Sequence, residues 1–203
     1  MCFCLIISVS NAQILNSFGL KIGMVNAKQD WNYSGMFSGL EVYNETRLGL
    51  NIGGYIEWNI FPSICVSSEI HYIQKGAKNK IPSYEYSDGT GNQIQLTPRL
   101  DYLSIPIIFN FHYIVSKLVL YGMIGPKLDL LVGKNEDAVG YVFDELKTSE
   151  LGYTFGFGVV FGKLGGNNIG LEIRKSRALE NAYSNENLTV SNYSTEFLLV
   201  VGL

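Results

Sequence analysis

The sequence predicts an all-β fold, an eight-stranded antiparallel up-and-down transmembrane β-barrel of an outer membrane. The first observation is alternation: in residues 151–161 large apolar side chains occupy every second position, with glycine, threonine or valine between them. A strand has a side-chain period of two, so such a strand has one apolar face and one small or polar face. The same alternation recurs as far as Leu203.

The second observation is composition, which suits strands that face lipid. The 203 residues are enough for one barrel domain. Charged residues make up only 16% of the chain, against about 25% in typical soluble domains. The chain also holds 22 glycines, 13 tyrosines and 11 phenylalanines. A net charge of -3 gives no electrostatic reason to expect nucleic acid as a partner.

The third observation is the spacing of the strands. Eight strands are predicted at 18–27, 46–58, 64–76, 99–112, 118–132, 150–161, 168–180 and 190–203. The gaps alternate between short (59–63, 113–117 and 162–167) and long (28–45, 77–98, 133–149 and 181–189). Outer-membrane barrels have short periplasmic turns and long extracellular loops, so both termini of an even-stranded barrel are expected in the periplasm.

The first dozen residues are predicted to be separate from the barrel. An apolar run beginning at Cys2 is followed by Ser10 and Ala12, which fits the core and cleavage site of a secretory signal peptide. We therefore assign 1–12 to a signal peptide and 13–203 to the barrel. A basic start is missing, so the true start is expected upstream of Met1. The alternative is a buried first strand. Cleavage would leave Cys65 as the only thiol, without an internal disulfide.

The two faces of the predicted strands differ sharply in charge. The apolar face carries essentially none between the strand ends, as a lipid-facing surface requires. The opposite face carries five cations and five carboxylates: Lys21, Arg47, Lys75, Lys127 and Arg174, and Glu57, Glu69, Asp129, Glu172 and Glu196. The interior of an eight-stranded barrel is just wide enough for side chains to fill it, and buried charges must pair. We therefore predict a filled lumen lined by a structural charge network.

Some segments depart from regular strands. Pro106 and Pro126 fall inside two predicted strands, and proline cannot donate to a ladder, so a bulge or local break is expected there. In the third long gap, Val139, Val142, Phe143 and Leu146 have helical spacing, which allows a short loop helix.

Catalytic, metal and cofactor sites are not expected. His71 and Glu69 share the inward face and could form a base with its orienting group, but a nucleophile or second acid is not evident, so we assign them to the lumen network. Cys65 has no neighbouring ligand pattern in the sequence. Recognition is instead expected on the long loops, where Tyr33, Tyr43, Tyr84 and Tyr86 are candidates.

Two alternatives remain at this level. Alternation alone does not say which face points inward, so a soluble lipocalin-like barrel that binds an apolar ligand has the same pattern. The balanced charges, the aromatic residues near the strand ends and the unequal gaps favour the membrane barrel. A small channel or an enzyme in the same membrane is the second alternative.

Three segments resemble the PorT-like outer-membrane β-barrel family of Bacteroidota. They are residues 72–78 (YIQKGAK), 101–107 (DYLSIPI) and 121–126 (YGMIGP), and residues 19–26 are similar to the first strand of that family. The resemblance covers about residues 18–203. It implies an outer-membrane barrel without catalytic residues, with a founding member in type IX secretion. One departure is the final Leu203, where many such barrels end in an aromatic residue.

The expected partners follow from this location. They are outer-membrane lipid, the barrel-assembly machinery during biogenesis, and other cell-envelope or secretion proteins. The expected role is structural, adhesive or secretion-associated, through the long loops.

Overall fold

The protein is a closed antiparallel barrel in a computed structural model that describes residues 15–35, 45–81, 94–135, 141–164 and 167–203. The predicted signal peptide lies outside these residues. The eight barrel strands are β1 (Leu15–Tyr33), β2 (Arg47–Phe61), β3 (Ile64–Gly76), β6 (Arg99–Val115), β7 (Leu118–Lys134), β8 (Ser149–Leu164), β9 (Asn167–Ala178) and β11 (Leu188–Gly202). Shorter elements are β4 (Asn79–Ile81), β5 (Ile94–Leu96), β10 (Tyr183–Ser184) and helix α1 (Tyr141–Asp144).

Each barrel strand pairs with the next along the chain, in the order β1-β2-β3-β6-β7-β8-β9-β11. The ring closes because β1 pairs with β11, from Gly19 opposite Gly202 to Tyr33 opposite Leu188. Closure leaves no free edge within the ring of eight barrel strands, which is the condition for a β-structure to cross lipid. The predicted eight-stranded barrel is therefore confirmed. The main difference is β1, which extends to Tyr33 rather than residue 27.

The connections are as unequal as the sequence predicts. Pro62 and Ser63 alone join β2 to β3, and Ser116 and Lys117 join β6 to β7. Ser116 adopts a positive φ of 57° to complete this tight turn. The opposite end carries the long connections, including the β4–β5 hairpin and α1. The short loop helix is confirmed, and Val139 lies outside the described residues. No helix in the described ranges is long and apolar enough to cross a membrane.

The two prolines interrupt pairing without shifting it. The β6–β7 ladder runs to Pro106 opposite Lys127 and resumes at Phe109 opposite Ile124 in the same register. The β3–β6 ladder likewise skips from His71 opposite Ser104 to Ser68 opposite Ile107. A local break is therefore found at Pro106, as expected for a residue that cannot donate. The register shift of this ladder lies elsewhere: Asp101 pairs with Gly133 and Tyr102 with Leu131, so β7 bulges at Val132.

The orientation of the side chains decides between the two predicted barrels. Phe157 is 70% exposed on the outside, whereas Glu172 and Arg174 are 4% and 2% exposed in the lumen. The outward apolar surface includes Phe18, Leu20, Ile22, Met24, Leu50, Ile107, Phe109, Phe111, Leu151, Phe155, Phe161, Leu171, Phe197 and Leu199. A lipocalin-like barrel would have the opposite orientation. Exposed apolar surface of this extent fits lipid rather than water.

A small apolar core covers the loop end of the barrel. Phe143 and Leu146, in and after α1, pack against inward side chains such as Val25 and Tyr102. The rings of Trp31 and Phe143 lie 5.7 Å apart. Three hydrogen bonds hold the cap: Lys147 N to the Ala182 carbonyl, Lys134 Nζ to the Phe143 carbonyl, and Ser34 N to the Asn187 carbonyl. The cap thus seals the lumen with the kind of core a soluble domain has.

A charge placed on the outward face should test membrane burial. We expect Phe157→Arg to lower the free energy of unfolding by about 2–4 kcal/mol, because arginine would lie near the middle of the lipid band. Leu179→Arg is the matched control, since Leu179 has the same 70% exposure but lies just beyond the end of β9. It should cost no more than about 1 kcal/mol. Urea titration of protein folded into vesicles measures both, and equal costs would contradict a lipid-facing Phe157.

Candidate functional site

The centre of the lumen holds a compact group of charged side chains, here called the central cluster. Lys21 Nζ lies 2.8 Å from Glu69 Oε1 and 2.9 Å from Glu172 Oε2. Arg174 Nη1 lies 2.7 Å from Glu69 Oε2, and its Nε donates to Glu172 Oε1. These residues come from β1, β3 and β9, which are brought together only by barrel closure. Two cations therefore neutralise two carboxylates at the barrel axis.

His71 and Glu196 extend the central cluster. His71 Nε2 lies 2.8 Å from Glu69 Oε2, and its Nδ1 lies 2.8 Å from Asn51 Oδ1. The Asn51 amide donates to Glu196 Oε2 at 3.0 Å, which turns its oxygen towards the imidazole. Both ring nitrogens of His71 therefore lie against oxygen atoms, one of the Glu69 carboxylate and one of the Asn51 amide. Through Asn51 this chain of contacts joins Glu196 to the ion pairs of Lys21 and Arg174 with Glu69 and Glu172.

Glycines make room for the large side chains of this cluster. Tyr121 crosses over Gly158, its partner across the β7–β8 ladder, and donates its hydroxyl to Glu172 Oε2 at 2.9 Å. A Cβ at Gly158 would overlap the Tyr121 ring. The His71 ring lies over Gly53 in the same way, on the β2–β3 ladder. At these two positions glycine is needed because a neighbour's ring occupies the space of a side chain.

A second group, the upper cluster, lies towards the loop end. Asp129 accepts from Lys75 and from Lys127, whose Nζ lies 2.9 Å from its Oδ2. The Lys75 ammonium also lies 4.8 Å from the centre of the Tyr102 ring. Such a cation is stabilised by the negative face of the aromatic ring. The upper cluster thus joins the charged lumen to the apolar cap, to which Tyr102 also belongs.

Glu150 completes the upper cluster and is a residue that the sequence analysis missed. Its carboxylate accepts from Tyr102 Oη at 2.7 Å and from Asn192 Nδ2 at 2.7 and 2.9 Å. Gln29 donates in turn to Asn192 Oδ1 at 3.0 Å. Two cations and two carboxylates therefore balance in this cluster as well. Glu150 has the inward parity of Thr154 on β8, so alternation could have identified it.

The turn end of the lumen opens into a cavity of about 440 Å³. There Cys65 Sγ lies 3.6 Å from His112 Nδ1, and His112 Nε2 lies 3.8 Å from Glu57 Oε2. Cys65 donates to Asn59 Oδ1 at 3.1 Å, and Asn110 donates to Glu57 at 2.9 Å. The sequence shows no ligand pattern beside Cys65, because the register of β2, β3 and β6 is what brings these side chains together. Glu57, Cys65 and His112 form the group in the described ranges that could hold a metal ion.

Of the eleven side chains predicted to line the lumen, ten are buried, with exposures between 1% and 8%, and Arg47 is half-buried. Six form the central cluster, Lys75, Lys127 and Asp129 belong to the upper cluster, and Glu57 lies at the turn-end cavity. A void of about 10 Å³, roughly one water, separates the central and upper clusters. Of the loop tyrosines, Tyr33 ends β1 and packs against the cap. Tyr43, Tyr84 and Tyr86 lie outside the described residues.

Comparison with known proteins identifies a family. The family model described as outer membrane protein beta-barrel domain matches residues 10–184. A search of curated proteins found no match.

Solved structures with a similar fold are outer-membrane barrels. The chain is similar to the outer membrane protein AlkL, solved in lipid bilayers, with 13% identity, a TM-score of 0.41, and coverage of 96% of this chain and 94% of that one. It is similar to Neisserial surface protein A at 9% identity and a TM-score of 0.45, covering 92% and 97%. It is also similar to Ail of Yersinia pestis at 13% identity and a TM-score of 0.39, covering 91% and 97%.

Removing one cation from the central cluster should be costly. Arg174→Met leaves Lys21 to neutralise both Glu69 and Glu172, so we expect a loss of about 3–5 kcal/mol in the free energy of unfolding. Adding Glu172→Gln restores the balance, and the double variant should be less destabilised than the sum of the singles by about 0.5–3 kcal/mol.

Urea titration of the folded protein measures each term of this cycle. Lys117→Met, at an exposed turn, is the control and should change stability by no more than about 0.5 kcal/mol. Purely additive effects of Arg174→Met and Glu172→Gln would contradict a mutually neutralised cluster.

Proposed function

The chain belongs to the family of outer membrane protein beta-barrel domains, and on this premise we propose a closed, non-conducting barrel whose long loops carry a structural, adhesive or secretion-associated role. The observation that supports it best is the occupied lumen: two balanced charge clusters lie in series beneath an apolar cap. An ion entering from the turn end would have to displace neutralised, hydrogen-bonded side chains. Such a barrel serves as a membrane anchor for what it displays at its ends.

The loops are the part of the molecule proposed to act on partners. In outer-membrane barrels the short turns face the periplasm and the long loops face outward. By that rule the turn at 116–117 and both ends of the chain would be periplasmic, and the connections after β1 and β3 would be extracellular. The candidate tyrosines at 43, 84 and 86 lie in those connections. Loops on a rigid scaffold commonly carry recognition residues.

Within the family, we propose membership of the PorT-like group of Bacteroidota. The support is the resemblance of residues 72–78, 101–107 and 121–126. These segments lie on β3, β6 and β7, at positions that face both lipid and lumen. The group would allow the secretion-associated form of the role. We also propose that His71 has no catalytic part, because both its ring nitrogens are engaged within the lumen.

The closed lumen should be electrically silent. Purified barrel reconstituted into a planar bilayer should give no stepwise conductance, because the two charge clusters and the apolar cap fill the described part of the lumen. An open porin reconstituted in parallel shows that insertion and recording work. A mock purification from cells without the gene controls for contaminating pores. Reproducible single-channel steps absent from the mock sample would favour the channel alternative.

The proposed orientation can be measured by labelling intact cells. In a Cys65→Ser background, Asn187→Cys places a thiol at the exposed loop end and Lys117→Cys places one at the exposed turn end. A membrane-impermeant maleimide should label the first variant and leave the second unlabelled until cells are lysed. Labelling of Lys117→Cys alone in intact cells would contradict an exterior role for the loops.

A further inference from the structure

The outward face of β1, β11, β9 and β8 carries a group of cations just above the apolar band. One row of paired outward residues runs across the four strands: Lys28 opposite Tyr193, Tyr193 opposite Arg177, and Arg177 opposite Tyr153. The next row towards the turn end is Asn26, Thr195, Lys175 and Phe155. A groove of about 490 Å³ runs between these side chains, here called the basic groove.

The basic groove lies directly above an apolar one. The row below it towards the turn end is Met24, Phe197, Ile173 and Phe157. These four side chains line a groove of about 580 Å³ that continues to Ile22 and Leu199, here called the apolar groove. Successive rows on one face are about 7 Å apart along a strand. The basic groove and the apolar groove therefore lie close enough together for the headgroup and an acyl chain of one lipid to occupy both.

Among the described residues, the cations of the basic groove outnumber their carboxylate partners. Lys28 lies 3.1 Å from Asp30. In the described part of the chain, no carboxylate lies within ion-pair distance of Lys175 or Arg177. Arg177 instead lies 5.0 Å from the centre of the Tyr193 ring. In the lumen, by contrast, Lys21, Lys75, Lys127 and Arg174 each have a carboxylate partner.

We propose that the two grooves together bind one lipid with a phosphate-bearing headgroup, in the leaflet at the loop end. The headgroup phosphate is held by Lys175, Arg177 and Lys28, and an acyl chain lies in the apolar groove against Phe157 and Ile173. The inference rests on the membrane location of the barrel. It goes beyond general lipid contact because it names one face, one charge class and one orientation for the bound molecule.

Charge and depth together favour a lipid over a soluble partner. Three cations against one carboxylate give the basic groove an excess of positive charge, which attracts anionic headgroups. Arginine and lysine at this depth reach towards the interface, where phosphates of the lipid lie. Tyr153 and Tyr193 flank them, as aromatic residues do at a membrane interface. The apolar groove next to it adds to the binding free energy only if the ligand has a hydrocarbon chain that can lie in it.

The double variant Lys175→Gln/Arg177→Gln tests the proposal. Barrel folded in zwitterionic detergent is titrated with diphosphoryl lipid A, and native mass spectrometry counts the bound lipid and gives its affinity. The wild type should bind one lipid A tightly. Each cation removed should weaken binding about fivefold, so the double variant should lose roughly 25-fold.

Matched controls separate this groove from general charge effects. Lys117→Gln/Lys147→Gln makes the same charge change at exposed positions outside both grooves, and its affinity should stay at the wild-type value. Phosphatidylcholine, whose headgroup has no net charge, should bind about equally weakly to all three proteins. Equal loss in both double variants, or none in either, would overturn the proposal.

Two further measurements test whether a soluble phosphate binds equally well and whether the variants are folded. Inorganic pyrophosphate should bind at least tenfold more weakly than lipid A, and equal or tighter binding would overturn the lipid assignment. Each variant should show the altered gel migration of a folded barrel before boiling, so lost binding is not lost folding. Because this assay does not involve ion flow or loop partners, its failure would leave the proposed non-conducting role standing, and conductance would leave the lipid site standing.

Discussion

The pairing of β1 with β11 is the constraint on which the rest of the structure depends. Without that ladder, two strand edges would expose unpaired backbone groups to lipid, each at a cost of several kcal/mol. With it, every strand has two neighbours, and the strict alternation of the pleat sends each side chain either to lipid or to the lumen. The division between an apolar exterior and a charged interior therefore follows from the need to pair every backbone hydrogen-bonding group in lipid.

Closure also explains why the interior charges come in balanced groups. Lys21, Glu69 and Arg174 come from the first, third and ninth strands of the chain, and only a closed ring can bring them into contact. A charge in such a narrow space must be paired to be tolerated. The glycines beneath Tyr121 and His71 serve the same purpose, because they free the space that lets these rings reach the carboxylates. The filled lumen is thus the packed core of this protein, built from ion pairs rather than from hydrocarbon.

Strand positions and the parity of most side chains could be predicted from the sequence, because the period-two pattern is local. The errors occur where a non-local feature intervenes. Asp101 has the parity of Leu103 and is nevertheless buried, next to a register shift at which Val132 of β7 has no residue opposite it. Cys65 and His112 are far apart in sequence, and only the register of β3 with β6 makes them neighbours. Strand register and the positions of bulges cannot be predicted from composition or from the alternation of side chains.

The apolar cap at the loop end is a second feature that the period-two pattern does not predict. Alternation places Val25 inside the barrel, but it does not say that the loop helix will fold down and cover it. Helical spacing around Phe143 indicated a helix without a docking partner. The partner is decided by which inward positions near the loop end are apolar, and that is visible only once all strands are aligned. The lumen is therefore charged in its middle and apolar at the loop end, and Tyr102 contacts both parts.

Strand β9 places the two kinds of charge side by side and shows that they differ in kind. Arg174 points inward and has carboxylates on every side, while Lys175, the next residue, points outward and has none in the described part of the chain. A buried cation is stabilised by the carboxylates that pair with it within the fold. Outward cations above an apolar band face water or lipid phosphate. Three of them lie close together on β1 and β9, and stability does not explain this grouping, since isolated surface charges contribute little. The inward, paired cations fill the lumen, whereas Lys175 and Arg177 face outward, where a ligand can reach them.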